Sequence, residues 1–97
     1  MEIKDDAAMR GLVLGVLYAG KDHSFVKVKP DSFSPPMTMR DIGIISREFK
    51  NATPHPLIIG SPSKNGDGYF MRISVHGQAV WEGNAHTELD ISGLPHL

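Results

Sequence analysis

Cysteine is absent from this chain, so disulfide frameworks, thiolate metal sites and a cysteine nucleophile are all excluded. A chain without thiols suits a reducing compartment, and cytoplasmic localisation is the expectation. Long hydrophobic runs are lacking too. The most apolar stretch extends only from Leu12 to Ala19, far short of the ~20 residues that span a bilayer, so no membrane partner is expected. The first residues, Met-Glu-Ile-Lys-Asp-Asp, are acidic where a secretory leader would be basic, and no leader is expected. Nor is there an excess of charge of either sign: the net value is −1, far from the strongly basic balance that makes nucleic acid the default partner. No internal repeat or low-complexity tract interrupts the chain.

What is present is one domain's worth of chain, 97 residues with 40% hydrophobic side chains. The small net charge conceals a segregation. Residues 1–6 and 82–97 carry six acidic side chains (Glu2, Asp5, Asp6, Glu82, Glu88, Asp90) against Lys4 alone, whereas residues 7–81 carry nine basic and five acidic ones. A mildly basic body with acidic ends is compatible with a polyanionic partner.

Residues 4–19 read as a helix. Asp5 and Asp6 lie near its start, where negative charge suits the helix dipole, and Gly20 can end it in a left-handed conformation. Its apolar residues spread nearly all the way round the helical wheel, which implies burial on most faces. Gly11 and Gly15 share the remaining side and mark a close approach of another backbone. Two outcomes stay open here, a homodimer through this first helix or a central core helix in a monomer.

Phe25-Val-Lys-Val-Lys29 alternates as a half-buried strand does, with Val26 and Val28 inward and Phe25, Lys27 and Lys29 outward. Pro30–Pro36 is a loop with room for one helical turn. Thr38–Lys50 forms the second helix: Thr38 is the N-cap, Asp41 follows in a capping-box-like position, and Ile42, Ile45 and Phe49 make the core face. Leu57–Ile59 and Tyr69–Ile73 read as strands of a hairpin, with the turn in Lys64-Asn-Gly-Asp-Gly68. Ser74 caps a short last helix through Glu82, ended by Gly83. Residues 84–97, with little periodicity, are expected as a loosely ordered C-terminal tail to a domain of residues 1–83.

This order is α+β: helix, strand, helix, hairpin, short helix, with a short antiparallel sheet. The passage Leu57–Glu82, in which LIIGSPSKNGDGYFMRIS runs directly into VHGQAVWEG, resembles a winged-helix domain. Domains of this kind occur in MarR- and PadR-type regulators and in small YjcQ-like bacterial proteins. The resemblance implies a winged-helix fold and a DNA-binding, transcription-regulating role. One departure is visible: where those proteins place a helix before the recognition helix, this chain has Pro30–Pro36.

Arg40, Gly43, Arg47 and Lys50 share an arc of the second helix opposite its core stripe. On a recognition helix these arginines reach guanine edges or phosphates, with Gly43 permitting close approach. A solvated helix face has the same composition, so that reading stays open. Lys64 at the hairpin and Arg72 on the returning strand fit a wing along a phosphate backbone, with Lys27 and Lys29 as further cations; Asp67 at the tip opposes it. Ile44, off the core face, fits a thymine methyl or a protein partner. Trp81 either seals the core against the first helix or anchors a partner subunit.

His23, His55, His76, His86 and His96 fall on separate segments, with no pair at i,i+3 or i,i+4, so no metal site is expected. No nucleophile-elbow or phosphate-loop pattern is present. The chain therefore reads as a non-enzymatic binding module without a cofactor, directed at duplex DNA or, alternatively, at a protein partner.

Overall fold

The computed structural model describes residues 5–22, 25–60 and 63–95. Along them run α1 (Asp6–Ala19), β1 (Val26–Val28), a 3-10 turn (Pro30–Ser32), α2 (Met39–Lys50), β2 (Ser63–Asn65), β3 (Gly68–Met71) and α3 (Val75–Trp81). The fold is α+β, three helices with a three-stranded antiparallel sheet in the order β1-β3-β2. Lys4, His23 and His96 lie outside the described residues.

Each helix starts where a short polar side chain meets otherwise unpaired backbone N–H groups. Asp5 accepts from the amides of Ala7 and Ala8 at α1, Thr38 from Asp41 at α2, and Ser74 from Gly77 at α3. Ser74 also donates to the Pro56 carbonyl at 2.7 Å, which ties the start of α3 to the segment before the sheet. Gly20 closes α1 as expected, but with φ −99° and not in the left-handed region. Its N–H still reaches the Val16 carbonyl at 3.2 Å, so the last turn is satisfied without the left-handed kink.

The sheet registers Val26 against Met71 and Val28 against Tyr69 on one side, and Lys64 against Tyr69 and Asn65 against Gly68 on the other. The hairpin turn is the two-residue Gly66-Asp67. Gly66 has φ +62°, as a glycine at the first central position of such turns does. The hairpin differs from expectation at its first strand. Leu57 and Ile58 are buried, and Ile58 pairs with Ile73 only as an isolated bridge. Gly60, at φ +72°, turns the chain, and the regular ladder resumes with the polar triplet Ser63–Asn65.

Val13, Leu14 and Leu17 of α1, Ile42, Ile45 and Phe49 of α2, and Val28, Met71 and Ile73 from the sheet form one core with Leu57 and Val80. Burial of α1 is less complete than its composition suggests: Leu12 and Ala19 stay exposed.

At Gly11 the glycine side of α1 is covered, and by the segment expected to be a loose tail. Residues 84–95 form neither helix nor strand, yet Ile91 is buried and Ala85, Leu89 and Leu94 pack on the core. The Ser92 N–H bonds to the Ala7 carbonyl at 3.0 Å, and a Cβ on Gly11 would stand 1.9 Å from the Ser92 carbonyl oxygen. Glu88 accepts from both the amide and the hydroxyl of Thr53, which holds its carboxyl below the usual glutamate range. Arg10 links three segments. Its Nε and Nη2 grip Glu48 of α2 at 3.0 and 3.1 Å, and Nη1 donates to the Asp90 carbonyl at 2.9 Å.

Alanine in place of glycine in a helix interior ordinarily stabilises by about 1 kcal/mol. Gly11→Ala has the opposite sign here, because its Cβ meets backbone rather than a movable side chain. Urea unfolding is expected to show a net loss of about 1–3 kcal/mol. A gain would mean that the tail does not sit on α1.

Candidate nucleic-acid interface

The amphipathic pattern of α2 fixes what it shows to solvent. With Ile42, Ile45, Ser46 and Phe49 buried, the opposite arc carries Arg40, Arg47 and Lys50, all exposed. Arg47 and Lys50 occupy the last turn, where cations also complement the helix dipole. Ser46 satisfies its hydroxyl locally by donating to the Gly43 carbonyl at 2.8 Å. Asp41 and Glu48 form a neighbouring stripe, and Glu48 is engaged by Arg10.

Gly43 behaves differently from expectation. The space beside it is filled from within the domain: a Cβ there would lie 2.7 Å from the Tyr69 hydroxyl oxygen. Tyr69 of β3 thus lies over α2, and Gly43, Ser46, Arg47, Lys50 and Tyr69 line a shallow groove of about 230 Å³. Lys64, opposite Tyr69 in the β2–β3 register, is on the same side of the sheet. Arg47 and Lys50 thus line a groove with Tyr69, Lys64 stands across the ladder from that tyrosine, and Arg40 lies one turn before Gly43 on the same arc of α2.

Lys27, Lys29 and Arg72 do not belong to that surface. Successive side chains of a strand point to opposite faces. Val28, Tyr69, Met71 and Ile73 face the helices, so Lys27, Phe70 and Arg72 face away. Gly68 locates the two lysines directly: a Cβ on it would touch Cγ of Lys29 at 3.0 Å and Cγ of Lys27 at 3.1 Å. Lys27 also pairs with Asp67 at 3.0 Å, and this contact holds the Asp67 carboxyl below its usual range.

Ile44, also on α2, is exposed. Trp81 stacks on Tyr18 with ring centroids 5.8 Å apart, and its ring lies over Gly15, where a Cβ would approach it to 2.9 Å. Tyr18 donates its hydroxyl to Glu82. Trp81 thus covers α1, and it also forms one wall of an open apolar groove of about 610 Å³ lined by Ala8, Leu12, Gly15, Val16 and Ala19.

The histidine rings of His55 and His76 meet edge to face at 5.2 Å, and His76 Nε2 lies 3.0 Å from the His86 carbonyl oxygen. Among the described residues no three His, Asp or Glu side chains converge as metal ligands do. None of the described helices is long and apolar enough to cross a membrane.

Tyr69, Phe70 and Leu12 stand on these surfaces without having been singled out by the sequence reading. The signal for the first two is the same period-two alternation that set Phe25 outward, once the pairing register is known. Comparison with known proteins gives no further constraint: no family model, curated protein or solved structure matches the chain.

Proposed function

We propose that the domain is a winged helix that binds duplex DNA, with α2 as the recognition helix and the β2–β3 hairpin as the wing. The observation that carries this reading is the α2 surface itself. A capped helix presents Arg40, Arg47 and Lys50 away from the core, and the hairpin adds Lys64 beside it. The element order and the β1-β3-β2 sheet support the same reading. The place of a helix before the recognition helix is taken by the 3-10 turn Pro30–Ser32. The reading is of a non-enzymatic cytoplasmic regulator, and no residue is assigned a catalytic role.

Four cations are few for a monomer. Phosphate contacts dominate affinity for duplex DNA, and each is weakened by salt. A dimer doubles them, and α1 offers the surface. Leu12, 39% exposed, stands between the small residues Ala8, Gly15 and Ala19. Antiparallel apposition of two copies about Leu12 sets each leucine into the partner's hollow. It also brings the acidic start of one helix, Asp5 and Asp6, near Lys21 at the end of the other.

A second reading rests on Ile44, which is 41% exposed directly beside the basic arc. An aliphatic side chain set between the cations of that arc and the acids Asp6, Asp41 and Glu48 also suits a protein partner with an apolar anchor.

Anisotropy with a labelled random-sequence duplex at ~50 and ~200 mM salt checks the first reading; the expected log–log slope is about −3 to −4 per subunit. The Arg40→Ala/Arg47→Ala variant is expected to flatten that slope by about 1 for each cation removed; unchanged binding would reject this surface. In sedimentation the chain is expected as a dimer that Leu12→Glu converts to a folded monomer. If duplex does not bind at low salt, a partner that co-purifies with the chain and is lost with Ile44→Glu establishes the second reading instead.

A further inference from the structure

The outer face of the sheet, turned away from α2, has a composition of its own. Phe25 is 50% exposed and Ile59 is 44% exposed, although both are large apolar side chains. Continuing the β1–β3 register beyond Val26 and Met71 sets Phe25 opposite Arg72, while Lys27 stands opposite Phe70. Ile59 joins the same face, because Ile58 pairs with the inward Ile73 and the Ile59 amide donates to the Arg72 carbonyl at 2.8 Å. Lys29 lies further along β1 beside Gly68. Each aromatic ring thus has a cation directly across the strands from it. The two rings occupy diagonal positions, about 7–8 Å apart in such a ladder.

We propose that this face binds single-stranded nucleic acid, with bases stacked on Phe25 and Phe70 and phosphates held by Lys27, Lys29 and Arg72. Charge and ring pattern select this occupant. Three cations fit a polyanion, and rings alternating with cations fit a polyanion whose units each carry a flat, apolar face. A duplex keeps its base faces stacked inside, so it would meet these rings with its sugar–phosphate exterior and gain nothing from them. Stacking on the rings and contacts to phosphate are available to DNA and RNA strands alike, and Ser63 and Asn65, opposite Phe70 and Gly68, add two polar side chains to the face. Asp67 is paired with Lys27 and competes with a phosphate for it.

The site is separate from the α2 surface and stands or falls without it. The test is anisotropy on the full chain with labelled oligothymidylate and oligouridylate of about 12 nucleotides, a length within the usual single-strand site sizes. Both are expected to bind, within about threefold of each other. Phe25→Ala is expected to weaken binding by at least about fivefold, the lower end for losing one stacked base. Phe25→Trp restores it, and Asp67→Asn strengthens it by releasing Lys27. Because Phe25 is exposed, its replacement leaves the core intact. Arg40→Ala/Arg47→Ala is expected to leave single-strand binding unchanged while lowering duplex binding, so the two readings fail separately. Unchanged affinity in Phe25→Ala would overturn the proposal. So would equal displacement of the labelled strand by unlabelled duplex.

Discussion

The Ser92 carbonyl lies where a side chain of residue 11 would be, and the arrangement of the whole domain depends on that close approach. A chain of this size has few surfaces with which to enclose a core. Here α1 is packed on one side by α2 and the sheet, on another by Trp81 over Gly15, and on a third by a segment with no regular structure. The last two contacts require the absence of a Cβ. Arg10, one residue before Gly11, then fixes the same region through its grip on Glu48 and the Asp90 carbonyl. Helix, second helix and tail are joined at one turn of α1.

With the core built in this way, β3 becomes the divider of the molecule. Tyr69 and Met71 face the helices, and Phe70 and Arg72 face outward, so the basic residues of the central part are sorted onto two surfaces. One combines Arg40, Arg47, Lys50 and Lys64 with Tyr69. The other combines Lys27, Lys29 and Arg72 with two phenylalanines. The near-zero net charge conveys nothing of this, because several acids are engaged away from both surfaces: Glu48 by Arg10, Glu88 by Thr53, and Glu82 by Tyr18.

The helices were legible in the sequence because their signals are local. Caps at Thr38 and Ser74, the acidic start of α1 and the Ile42/Ile45/Phe49 spacing act within a few residues, and tertiary packing did not override them; that Asp5 is itself the cap of α1 came from the structure. The strand Ser63–Asn65 was not legible. Its three residues are polar and exposed, and they pair only because the Gly66-Asp67 turn folds them onto β3. The tail was hidden for a different reason. Ala85, Leu89, Ile91 and Leu94 follow no period, and the segment meets the glycine side of α1, far earlier in the chain, through Ile91 and Ser92 at Gly11. That side could be recognised as a place of close approach, but not its occupant. The α2 arc followed from the wheel alone. Placing Lys27, Lys29 and Arg72 on a different surface required the register between β1 and β3, which no single strand contains. Gly43, likewise, marks a close contact whose other member, Tyr69, comes from a distant strand.

Among the described residues β1 and β2 each pair with β3 alone, so both are edge strands, the kind through which sheets recruit further strands and aggregate. Each flank is three residues long. Pro30 follows β1 closely, Pro62 directly precedes β2 in the sequence, and lysines stand on both. Neither edge offers a neighbouring chain a run long enough to continue the ladder. A sheet so short at its margins gives the exposed Phe25 and Ile59 on its face little ladder from which a fibril could be seeded. Short edges let a domain hold an apolar surface open to water at less risk of edge-to-edge assembly.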